Sequence, residues 1–134
     1  MLVPLLAAAL ALQPSPAPPS SQEVPAAQPP VTSLDELPVE QGAAARCAIA
    51  FAVVSRWQKS NDARGAAYGN MEEAGGREFF VQTMAKLMER TGMTREQILT
   101  LSFDEVNKLD NAEGEARIAA MMPPCLTIKQ AAGL

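Results

Sequence analysis

Cys47 and Cys125 carry the clearest chemistry in this 134-residue chain. They stand 78 residues apart, which leaves neither a metal-knuckle spacing nor a redox Cys-x-x-Cys pair. In a short exported chain two such cysteines favour a disulfide; the alternative is two buried free thiols. There is no His, which removes the usual general base, the commonest zinc ligand and the nucleophile pairs built on imidazole.

Carboxylate pairs are the remaining route to acid–base work, as in glycosidases. Glu72 with Glu73, and Asp104 with Glu105, are the candidates. Adjacent acids more often mark a solvated loop or a helix start. Six methionines (Met71, Met84, Met88, Met93, Met121, Met122) offer thioethers to Cu(I). Most fall on apolar helix faces, where Met fills gaps in a core. The run Asp110 to Glu115 suggests a calcium loop, but placing Gly114 at the turn puts Leu109 at the first ligand position, and Leu cannot coordinate. Gly75-Gly76 precedes a helix without the further glycines or the Lys of a phosphate cradle. No cofactor and no metal is therefore expected. Tyr68, with Arg64, Glu72 and Glu73 around it, is the candidate contact with a partner, since aromatics on loops tend to bind. The plainer role is packing of the loop onto the domain.

The elements that must position these groups are helices. From Ala43 onward apolar residues recur at three and four, and no stretch alternates with period two. The spacing predicts a first helix over about 43–59, with Cys47, Ala50, Phe51, Val53, Val54 and Trp57 on one arc. It is apolar almost all round, as a central, enclosed helix is. Residues 60–76 hold four glycines and form the long loop. A second helix over about 77–91 presents Phe80, Met84, Leu87 and Met88, with Gly92 as its left-handed cap. Two short helices follow, each opened by a capping box, Thr94 to Gln97 and Ser102 to Glu105. A helix over about 113–122 stops at Pro123-Pro124, and Pro124 opens a last one to Ala132. The expected fold is all-α: a compact bundle of five or six short helices around a central apolar helix, with one disulfide.

Ahead of this domain (42–134) the composition changes. Nine of the eleven prolines lie in the first 38 residues. Leu2 to Leu12 is an uncharged apolar run, too short to span a bilayer but of signal-peptide length, followed by small residues. No Lys or Arg precedes it; the alternative is an apolar tail on a cytosolic protein. Residues 1–12 are read as a signal peptide and 13–41 as a Pro/Ala-rich disordered tether. Residues 1–41 carry four acidic and no basic groups, so the formal net charge of −4 belongs to the leader and the domain is neutral. A neutral domain lacks the electrostatic footprint of nucleic-acid binding, and no polybasic cluster holds it to anionic lipid.

Arg46 to Val54, Gly75 to Phe80 and Met121-Met-Pro-Pro-Cys125 resemble segments of small exported two-cysteine helical proteins of alphaproteobacteria. The resemblance covers residues 43–134 and implies a periplasmic setting, with no function or site attached. In plan alone, the chain is similar to periplasmic acid-stress chaperones of the HdeA type. Together these features point to an exported, periplasmic, non-enzymatic module that binds another protein or the cell envelope, with no stable membrane span. A carboxylate-based hydrolase of an envelope glycan, a Met-based copper carrier and a stress chaperone are the other readings.

Overall fold

α1 (Val39–Lys59) is the helix that every other element touches. Its inward residues Ala45, Ala48, Ala50, Phe51 and Val54 are completely buried, and the alanines leave room for close neighbours. The computed structural model describes residues 29–134. Within them lie three further helices, α2 (Gly76–Thr91), α3 (Arg95–Leu109) and α4 (Ala112–Ala131). Two 3-10 turns, Leu34–Glu36 and Ala63–Ala67, complete the elements. There is no strand among the described residues.

The Sγ atoms of Cys47 and Cys125 lie at bonding distance, 2.04 Å, with their Cα atoms 5.1 Å apart. The two helices are thereby joined in the core, where Cys125 is 1% exposed. α2 packs its Phe79 ring edge-on against Phe51, centroids 5.6 Å apart, a favoured aromatic geometry. Phe79, rather than the expected Phe80, is the fully buried aromatic of this helix; Phe80 packs at the edge of the core.

Four α-helices replace the expected five or six, because two expected breaks are not breaks. Ser102 does not cap a new helix: its hydroxyl donates to the Ile98 carbonyl, 2.8 Å away and one turn back, in the buried stripe of a continuous α3. The genuine capping box is at Thr94, where the hydroxyl accepts from the Gln97 N–H and the Gln97 amide oxygen from the Thr94 N–H. Pro123-Pro124 lies inside α4. The prolines have no N–H to give to Ala119 and Ala120, and those residues sit on the exposed side, where water replaces the lost donors.

The ordered domain also begins earlier than expected. Leu34 and Leu37 are buried in the core and α1 starts at Val39, so the end of the expected tether, 29–41, is in part structural. The expected signal peptide (1–12) and the tether's residues 13–28 lie outside the described residues.

The corner between α3 and α4 depends on one glycine. A Cβ on Gly114 would stand 2.1 Å from the Leu109 carbonyl oxygen. Asn111 serves both helices there: its Oδ1 accepts from Gly114 N–H, and its Nδ2 donates to the carbonyls of Asn107 and Lys108. Gly92 takes the left-handed conformation (φ +70°) and closes α2 onto the Met88 carbonyl.

Gly114→Ala is expected to destabilise by about 3 kcal/mol or more. Gly69→Ala, with nothing within 4 Å of the added methyl, is expected to be neutral or stabilising by about 0.5 kcal/mol. Urea unfolding of the two variants measures the contrast. The Cys47→Ser/Cys125→Ser pair is expected to lose up to about 4–5 kcal/mol from loop-closure entropy, seen as a lower urea midpoint than the oxidised parent's.

Candidate binding cleft

After α1 the chain folds back over the helix it has just left, and one side chain governs the path. Gln58 Nε2 donates to the carbonyls of Gly65, Tyr68 and Gly69 at 3.2, 3.3 and 2.8 Å, while its Oε1 accepts from Met71 N–H at 3.0 Å. Gly65 permits this closeness: a Cβ there would lie 2.8 Å from the Gln58 backbone nitrogen. Asn61 turns the chain with φ 56°, a left-handed conformation that Asn tolerates better than most residues. Asn70 Oδ1 then accepts from the N–H groups of Glu72 and Glu73 to shape the approach to α2.

Beneath this loop lies a knot of charge around the only tryptophan. Trp57, 2% exposed, donates from Nε1 to Asp110 Oδ1 at 2.8 Å. Arg64 spreads its guanidinium over the indole, 4.5 Å from the ring centroid, within cation–π range. The same guanidinium grips Asp62 through Nε (3.0 Å to Oδ1) and Nη2 (2.6 Å to Oδ2), and reaches Asp110 through Nη1 at 3.3 Å. Arg56 completes the set on Asp110 Oδ2. The Arg64 side-chain hydrogen bonds, with its backbone N–H next in effect, hold the Asp62 carboxyl at about 2, below its ordinary 3.8. Arg64 is raised in turn, chiefly by the hydrogen bonds it donates to Asp62.

The loop and the last turns of α1 border an open cleft of about 570 Å³. Ser55, Gln58 and Lys59 form one wall; Asn61, Ala66, Tyr68, Asn70 and Glu72 contribute to the others. Of the four residues expected to contact a partner, Tyr68 and Glu72 line this cleft. Arg64 and Glu73 do not. Arg64 is spent on the knot, and Glu73 is exposed beyond the turn. Glu72 faces Lys59 at 3.4 Å, both more than half exposed, an arrangement of little energetic weight. Tyr68 is half-buried against the core. Its phenol is pushed above its ordinary 10 by burial and, secondarily, by the charge of Glu115.

The other expected acid pair is divided by the fold. Asp104 is exposed, whereas Glu105 is buried between Lys108 at 3.3 Å and Arg46 at 3.8 Å. Arg46 also pairs with Asp35, linking the first 3-10 turn to the bundle. The methionines belong to the core: Met71, Met84, Met93 and Met122 are buried, and Met88 and Met121 pack against them. Sequence patterns did not single out Gln58, Asn61 or Asn70, and offered Asp110 only as the start of a discarded calcium loop. Asn70, two residues before an acidic pair and ahead of a helix, carries a recognisable turn signature; Gln58 carries none.

Comparison of the chain with protein-family models, with curated proteins and with solved structures finds no match.

Two titrations test the site. Asp62 stabilises the fold above its unfolded value near 4, and that contribution is lost as pH falls toward about 2. Asp62→Asn keeps an oxygen to accept from the Arg64 backbone N–H, as the Asp62 carboxylate does at 3.0 Å, but not the charge. Its deficit against the parent in urea unfolding is expected at pH 6, shrinking below pH 4 and vanishing only as pH falls through about 2. Tyr68 is the only tyrosine, so tyrosinate absorbance reads it alone. Its midpoint is expected above 10, moving part-way back in Glu115→Gln. The unfolded chain ionises first, so this residue makes the fold less stable as pH rises past about 10.

Proposed function

We propose that the chain is an exported, periplasmic, non-enzymatic module that binds a polar segment of a partner protein in the cleft between the end of α1 and the loop over 60–72. The observation that carries this reading is the preformed shape of the cleft. Gln58 and Gly65 hold its walls in place before anything binds, and a preorganised wall spares the ordering cost that a flexible loop imposes on association. Exposed amide side chains at Asn61 and Asn70, the Tyr68 ring and the Lys59–Glu72 pair supply donors and acceptors of both signs. Such a surface suits an uncharged polar peptide better than a polyanion. At 570 Å³ the volume is that of a small-ligand site, room for a few residues of chain. Export is supported by the cysteine pair at bonding distance, which persists in an oxidising compartment, and by the leader's apolar run. Among the described residues no helix is long and apolar enough to cross a membrane.

The test places a photoreactive side chain at Ala63, on the cleft wall, and crosslinks in the intact periplasm. One reproducible adduct is expected. Ala66→Trp, which fills the cleft from an exposed position, is expected to abolish that adduct while changing the melting temperature by less than about 2 °C. An adduct that persists in Ala66→Trp moves binding away from the cleft. The absence of any adduct removes the reading.

A further inference from the structure

A second concavity, separate from the cleft and independent of its having an occupant, lies between the start of α1, the middle of α2 and the end of α4. Its volume is about 140 Å³, well below that of sites for drug-sized ligands and suited to a single apolar side chain. Phe79, Leu87, Ala44 and Ile128 line it. Its rim is charged unevenly. Lys86 and Arg90 stand one turn apart on α2, and neither has a carboxylate within 4 Å among the described residues. A cation in the last turn offsets the helix dipole, which accounts for Arg90 but not for a like charge one turn earlier. Glu40, on α1, is the rim's acid. Gln41 also lines the pocket, and its buried amide oxygen has no hydrogen-bond partner, an uncommon state for such a group. The last torsion of a Gln side chain turns with little resistance, so this amide can swing toward a donor entering the pocket.

We infer that this pocket receives the C-terminal residue of a partner polypeptide when that residue is apolar. The side chain fills the apolar volume and the terminal carboxylate sits between Lys86 and Arg90. The residue's own N–H donates to Gln41, and the upstream chain passes Glu40, which repels a second carboxylate and so fixes the direction. An apolar group flanked by one carboxylate and one amide N–H is what this arrangement complements. Capture of a chain terminus in this way combines an anchor side chain with a charge-assisted bond.

The experiment is an amide NMR titration of the full oxidised chain with acetyl-Ala-Ala-Ala-Leu bearing a free carboxylate. Saturable shifts are expected at Ala44, Thr83 and Ile128. The same peptide ending in a carboxamide is expected to bind at least tenfold more weakly, as is the free-acid peptide to the Lys86→Gln/Arg90→Gln double variant. Both side chains are exposed, so that variant is expected to keep its melting temperature. 4-Methylpentanoate, which has the side chain and carboxylate but no amide, is expected to bind at least tenfold more weakly than the peptide. Equal affinity for acid and amide peptides, no saturation, or shifts confined to the cleft beside Tyr68 would overturn the inference. Binding of 4-methylpentanoate as tight as the peptide's would assign the pocket to small free carboxylates and overturn it equally.

Discussion

The covalent link between Cys47 and Cys125 is the constraint on which the rest of the domain rests. The link holds the two Cα atoms 5.1 Å apart; with each Cα about 2.3 Å from its helix axis, that matches the 8–10 Å axis separation of ordinarily packed helices. Around the link α1 places Ala45, Ala48 and Ala50, none of which is exposed. The same link steadies a helix that ought to be weak. Two prolines immediately before Cys125 remove two hydrogen bonds from α4, and a single interior proline costs roughly 3 kcal/mol. Beyond the link, Lys129 is buried and donates to the Ala74 carbonyl at 2.5 Å, which ties the end of α4 to the turn before α2.

At the other end of the molecule the organising contact is polar. Asp110 accepts from Trp57, Arg64 and Arg56, and so joins α1, the 3-10 turn after it and the corner between α3 and α4. The Trp57 indole N–H would be an unsatisfied buried donor without this carboxylate. The knot also explains why the loop over 60–72 is a wall and not a flap. Arg64 is fastened below by the indole and by two carboxylates, Gln58 is fastened above by three carbonyls, and Gly65 closes the gap between them.

Much of the fold was legible because it obeys local rules. Thr94 and Gly92 mark helix ends by hydrogen-bond chemistry that needs only neighbours in sequence. The arc from Cys47 to Trp57 follows from the helical repeat alone. What was missed was overridden by tertiary packing. Ser102 followed by Glu105 imitates a cap, but Ile98, Leu101, Glu105 and Leu109 form one unbroken buried stripe. Pro123-Pro124 imitates a stop, yet Gly114, Ile118, Met122, Cys125 and Lys129 keep a single helical period across it. In both cases the continuity of the stripe was the better signal than the punctuation. Leu34 and Leu37 went unread as core because they stand alone among acids and prolines. Of the candidate site, Tyr68 and Glu72 were placed by composition, whereas Gln58 and Asp110 act on backbone and indole groups far along the chain, and no local pattern announces such partners.

The positions of the two residues that absorb near 280 nm have a spectroscopic consequence. The chain has one Trp and one Tyr, and both flank the same turn, one beneath it and one lining its cleft. Intrinsic emission from this molecule is therefore a local signal: it senses the knot and the cleft and is blind to the far ends of α2 and α4. Far-ultraviolet circular dichroism averages over all four helices instead. The two methods together divide the domain into a polar end and a disulfide end, and the degree to which their unfolding curves coincide measures how strongly those ends cooperate.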